Sequence, residues 1–192
     1  MNNGAAVWLR SIGATVSAAG TGVAAVSDAQ GKFGVMVTGK LGDKAFSGTP
    51  CAVTSSSGAS SLVARLDNAK GDCVWSKSFA GESAGLAVDG SGDLVVTGTF
   101  TGSTGFDATS LLTSGPGKAS FVAKLGSIAG DHLWSRGFIV GSSGDEIAAR
   151  AVASDQSSGH WIVAGTLDGT TDFGAGPPLT AAKGGFLVHL GN

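Results

Sequence analysis

Apolar and polar residues along this chain fall into short bursts. None sustains the three-and-four spacing of a long helix face. VMVTG, VVTG and IVAG end at Gly39, Gly98 and Gly165, while LVARL, FVAKL and FLVHL begin at Leu62, Phe121 and Phe186. Between them lie segments of alternating character such as GLAVD and RAVAS, and clusters of Gly, Ser and Asp separate all of these. Apolar runs of about five residues bounded by turn formers predict β-strands.

The strands repeat. Trp8, Trp75 and Trp134, in VWLRSIG, VWSKSF and LWSRGF, stand 67 and 59 residues apart. The three glycines are 59 and 67 apart, and Leu62, Phe121 and Phe186 are 59 and 65 apart. A weaker landmark, Phe46, Phe106 and Phe173, falls between the last two series. Each unit therefore reads as a Trp strand, an alternating strand, a turn, a VVTGTF-type strand, a Gly/Phe loop and an FVAKL-type strand. Four short strands joined by tight turns predict an antiparallel meander, and its repetition at about 60 residues predicts an all-β chain of three four-stranded β-propeller blades. The units span 7–73, 74–132 and 133–192 of one module covering 1–192.

VWSKSF, GLAVDGSGDLVVTGTF, SFVAKL and SSLVARLDNAKGDCVW resemble the bacterial β-propeller repeat abbreviated SBBP, over nearly the whole chain. The resemblance implies WD40-like blades in bacterial surface or secreted proteins, hence an extracellular or cell-surface location, and it brings no catalytic residue. The first unit departs from the pattern in a Ser-rich stretch at 54–61, and the third inserts Gly144, Asp145 and Glu146 before its inner strand.

Closed propellers have four to eight blades, so three are not expected to close alone. The order of landmarks begins with a Trp strand and stops at FLVHLGN, where a fourth Trp strand is due. An unpaired edge is a template for another chain. The expectation is a homo-oligomer, a two-fold dimer of six blades in which residues 7–12 complete the partner's last sheet. The alternatives are the remainder of a longer propeller, or an open head-to-tail filament.

Composition narrows the partners. Thirty-three Gly, 14% charged residues and no Tyr suit short buried strands and tight turns. A formal charge of -2, with Lys and Arg scattered singly, gives no footprint for nucleic acid. No apolar run reaches the roughly 18 to 20 residues that span a bilayer, and the first ten residues lack the pattern of a signal peptide. A soluble chain is expected, with any export signal outside this sequence. Cys51 and Cys73 are either bridged, if the Ser-rich loop folds back across the hairpin, or two separate thiols.

Candidate chemistry is sparse, and neither a metal site nor a cofactor is expected. Gly81-Glu-Ser83-Ala-Gly85 matches the G-x-S-x-G of hydrolases, but a hairpin follows where a helix is needed, so it reads as a connecting loop. His132, His160 and His189 occupy three different repeat positions and do not converge. Asp89 to Asp93 imitates the start of a calcium loop but lacks its closing glutamate and reads as a turn. Asp107 and Asp172 cap local amides by default, with a cation or polyol site as the other use. The repeated tryptophans read as packing between blades. Trp161, which has no Trp counterpart, is the candidate surface residue for a glycan. The expected function is a non-catalytic interaction or scaffold module for a protein ligand, with a carbohydrate-binding propeller and a filament-forming protein as alternatives.

Overall fold

The computed structural model describes residues 6–12, 18–27, 30–42, 44–45, 51–54, 60–155 and 158–191. Phe46 and the stretch 55–59 lie outside them. Every regular element among the described residues is a strand, and no helix is long and apolar enough to cross a membrane. The first sheet runs β1 (Ala19–Ser27), β2 (Phe33–Leu41), β5 (Ser60–Asp67) and β6 (Cys73–Ala80), with a two-residue ribbon of β3 (Lys44–Ala45) and β4 (Val53–Thr54) at one hairpin tip. The second runs β7 (Glu82–Val88), β8 (Leu94–Phe100), β11 (Ala119–Leu125) and β12 (His132–Phe138), with the ribbon β9 (Ser103–Thr104) and β10 (Leu112–Thr113). In the third, β13 (Glu146–Asp155), β14 (His160–Thr171) and β15 (Leu179–Leu190) form three strands, and β15 is an edge. All three sheets are antiparallel meanders.

The sheets stack face to face, β7 against β1 and β2, and β13 against β7 and β8. A strand between two neighbours is buried on both faces, so its apolar run is nearly continuous. In β11, Phe121 joins Met36, Val63 and Trp75 in the core between the first two sheets. Its neighbour Val122 points the other way and joins Ile147, Trp161 and Phe186 between the second and third. Burial of about 25 cal/mol per Å² of apolar surface at these two seams is what holds the stack.

The repeated glycines have one physical cause. The first strand of each sheet carries a bulge, between Gly20 and Gly22, Ser83 and Gly85, and Ala149 and Ala151. Each bulge drives a carbonyl toward the neighbouring strand, where a Cβ at Gly39, Gly98 or Gly165 would land on the oxygen of Ala19, Glu82 or Ala148. The G-x-S-x-G match thus belongs to the bulged strand β7 and is not the connecting loop expected from sequence; Ser83 is buried inside it.

Cys51 and Cys73 are bridged, with Cα atoms 6.1 Å apart, which ties the segment entering β4 to the start of β6. Ser76 adds a second tie by donating to the Cys51 carbonyl at 2.7 Å.

Candidate functional site

Each seam between sheets is built from the same few atoms. Ser61 donates to the Gly81 carbonyl at 3.0 Å and accepts from the Ser83 amide at 2.6 Å, clamping the first sheet to the bulge of the second. Ser120 repeats this with the Ile147 carbonyl at 2.9 Å and the Ala149 amide at 2.7 Å. Gly185 stands at the corresponding place in β15.

The last strand of the first sheet, β6, adds a second joint. Trp75 Nε1 donates to the Ser127 carbonyl, in the turn between β11 and β12, at 3.0 Å, and Arg65 Nη1 donates to the same oxygen at 2.9 Å. Gly130 in that turn has φ of 70° and lies beneath the Trp75 ring, where a Cβ would come within 2.7 Å of it. The segment 7–12 does the same one sheet earlier. Trp8 Nε1 donates to the Asn68 carbonyl at 3.0 Å, its ring covers Gly71, Arg10 pairs with Asp72, and Ile12 packs on Leu41 and Leu62. Residues 7–12 therefore sit on the first sheet as β6 sits on the second, yet among the described residues they pair with no strand. Val7 and Leu9, on the opposite side, face solvent.

Among the described residues, two sheet faces are left uncovered. The rear of the first sheet, with Val23 71% exposed, forms an apolar hollow of about 500 Å³ lined by Ile12, Gly22, Val23, Val37 and Leu62. The outward face of the third sheet exposes Ile162 (43%) and Leu187 (73%) beside the free edge of β15.

The residues singled out in the sequence have other employment. Trp161 is fully buried, which corrects the surface role expected for it: WIVAG aligns with LVVTG, so Trp161 takes the inward position of Leu94. Its Nε1 has no hydrogen-bond partner among the described residues. Asp107 accepts from the Thr109 amide at 2.8 Å and the Ser110 amide at 2.7 Å, and these bonds hold its carboxyl well below the ordinary 3.8 although burial opposes them. Asp172 accepts from the Gly174 amide at 2.6 Å. Both carboxylates hold turns, and nothing brings the pair to one site.

The histidines do meet other groups, contrary to the expectation that they stand apart. His132 Nδ1 lies 3.1 Å from Asp107 Oδ2 and stacks on Phe106, while His160 and His189 are 4.9 Å apart, ring to ring, on the uncovered face of the third sheet. Strand register brings the second pair together, because Ile162 pairs with His189 and Trp161 with Leu190. Ser83 Oγ meets Thr21 Oγ1 at 3.1 Å instead of a histidine.

The turn at Asp89 contains its own cation. Asp89 Oδ1 accepts from the Ser91 amide at 2.9 Å and the Asp93 amide at 3.0 Å, and Lys124 Nζ lies 2.8 Å from Asp89 Oδ2 and 3.4 Å from Asp93 Oδ2. Burial disfavours the Lys124 charge, but the hydrogen bond and charge of Asp89, joined by Asp93, outweigh it and raise its pKa. Among the described residues no group of three or more His, Cys, Asp or Glu is arranged to hold a metal ion. No protein-family profile matches the chain, and no curated protein is similar to it.

Proposed function

We propose that the chain is a non-catalytic scaffold module whose three sheets are blades of a β-propeller, and that its work is assembly. The observation that carries this reading is the seat of Trp8 on the Asn68 carbonyl, which reproduces that of Trp75 on Ser127 at the same 3.0 Å. Residues 7–12 thus take the place of a last strand beside a sheet with which they form no ladder. In this reading they complete the third sheet of a neighbouring chain, so two chains of three blades close a six-bladed ring.

The disulfide favours an oxidising compartment, in keeping with a secreted or cell-surface protein. The carbohydrate reading loses its platform with the burial of Trp161. Open head-to-tail growth uses the same surfaces and differs only in whether the rotation closes.

Size-exclusion chromatography with light scattering, followed by negative-stain imaging, tests the reading. A mass twice the 18.7 kDa of one chain and a ring-shaped particle are expected. A stable monomer at micromolar concentration overturns it.

A further inference from the structure

The two uncovered faces occupy, position for position, the places that form the seams inside the chain. Toward the following sheet, the first sheet presents Met36, Val63 and Arg65, and the second presents Val95, Val122 and Lys124; the aliphatic members of both sets are fully buried. The third sheet presents Ile162, Leu187 and His189 at those positions, and all three face outward. Toward the preceding sheet, Leu86, Leu94 and Phe121 of the second sheet and Val152, Trp161 and Phe186 of the third lie in seams. Their equivalents in the first sheet are Val23, Val35 and Leu62, and of these Val23 and Leu62 line the apolar hollow.

Resting on the assembly reading above, we propose that the outward face of the third sheet seats on the rear of the first sheet of a second copy, head to tail, with β15 pairing antiparallel to residues 7–12 of that copy. The register follows from the two complete sheets. Val63 lies opposite Lys77 and Arg65 opposite Trp75; Val122 lies opposite Arg136 and Lys124 opposite Trp134. Leu187 therefore lies opposite Arg10, and His189 opposite Trp8. Arg65 shares the Ser127 carbonyl with Trp75, so an imidazole N–H of His189 shares the Asn68 carbonyl with Trp8 of the second copy. Ile162 and Leu187 enter the hollow beside Val23 and Val37.

The joint also lacks one component found inside the chain. Ser61 and Ser120 clamp the neighbouring bulge, but Gly185 cannot, and a Cβ there meets only the Gly165 carbonyl, at 3.8 Å. Gly185→Ser therefore adds a hydroxyl in reach of the Ala18 carbonyl and Gly20 amide of the second copy.

Sedimentation velocity on the full chain and on Leu187→Lys, Val23→Lys and Gly185→Ser tests the joint. Both lysine substitutions fall on exposed positions, so near-ultraviolet dichroism is expected to stay native. Each is expected to weaken self-association at least about thirtyfold, the scale of an interface hot spot. Mixed together they restore a single joint, because one chain keeps an intact third sheet and the other an intact first sheet, and the mixture stops at a one-to-one pair. Gly185→Ser is expected to tighten association. A wild-type oligomer unchanged by both lysines overturns this joint while leaving assembly standing, and so does a lysine pair that fails to complement. A monomeric wild type overturns both, and identifies the cover of these faces as something other than a second copy.

Discussion

The indole of Trp75 spans two sheets by donating from Nε1 to the backbone carbonyl of Ser127 at 3.0 Å while its ring lies over Gly130. Trp75→Phe keeps the ring and loses the bond, which is expected to cost about 1 kcal/mol. Trp75→Ala empties part of the seam and is expected to cost about 3–5 kcal/mol. Gly130→Ala introduces a Cβ at positive φ beneath the ring and is expected to be less stable than wild type. Urea unfolding curves compare all three.

The Cys51–Cys73 bridge closes a loop over a sequence separation of 22 residues. Its removal as Cys51→Ser with Cys73→Ser, or by reduction, is expected to lower stability by about 3 kcal/mol, the loop-entropy value for that length. Comparing denaturant midpoints with and without a thiol reductant measures it. An unchanged midpoint refutes the expectation.

Trp161 tests the difference between a buried and a displayed tryptophan. Trp161→Ala is expected to cost about 3–5 kcal/mol. Trp161→Phe removes an indole N–H that has no partner and is expected to stay within about 1 kcal/mol of wild type. Blue-shifted emission lost in Trp161→Phe would confirm the burial independently.

Two carboxylates shape the acid limb of stability. Backbone amides of Thr109 and Ser110 hold Asp107 below its ordinary 3.8, and the Lys40 hydrogen bond holds Glu82 below 4.5. A depressed folded-state pKa contributes stability that is present above the ordinary value and lost as pH falls through the folded one. Melting temperature is therefore expected to drop as pH falls below about 4. Asp107→Asn and Glu82→Gln are each expected to lower the melting temperature at pH 7 and flatten that drop, as read from thermal melts across pH.

Much of the architecture is legible because a fixed period shows through substitution. The three glycines announce one backbone need, a bulge carbonyl pressing on the next strand, and only a residue without Cβ meets it. The seams are legible only in hindsight. Ser61 and Ser120 look like ordinary turn residues in sequence, since nothing local signals that their hydroxyls reach a neighbouring sheet. The His160 and His189 rings lie 29 residues apart in sequence and are joined by register alone. The alignment of WIVAG with LVVTG places Trp161 at a buried position, whereas a tryptophan unmatched in the other units has the sequence signature of a surface residue.

The serine clamp and the glycine-licensed bulge have an evolutionary corollary. Clamp serine and licensing glycine occur together in the first two repeats, Ser61 with Gly39 and Ser120 with Gly98, while the third pairs Gly165 with Gly185 in place of the serine. A duplicated copy of the first or second repeat carries both a clamp and a bulge for the preceding clamp to grip, while the side chains filling its seam would have to be refitted. The backbone fittings are thus modular from repeat to repeat, and the apolar filling between them is particular to each pair of neighbours.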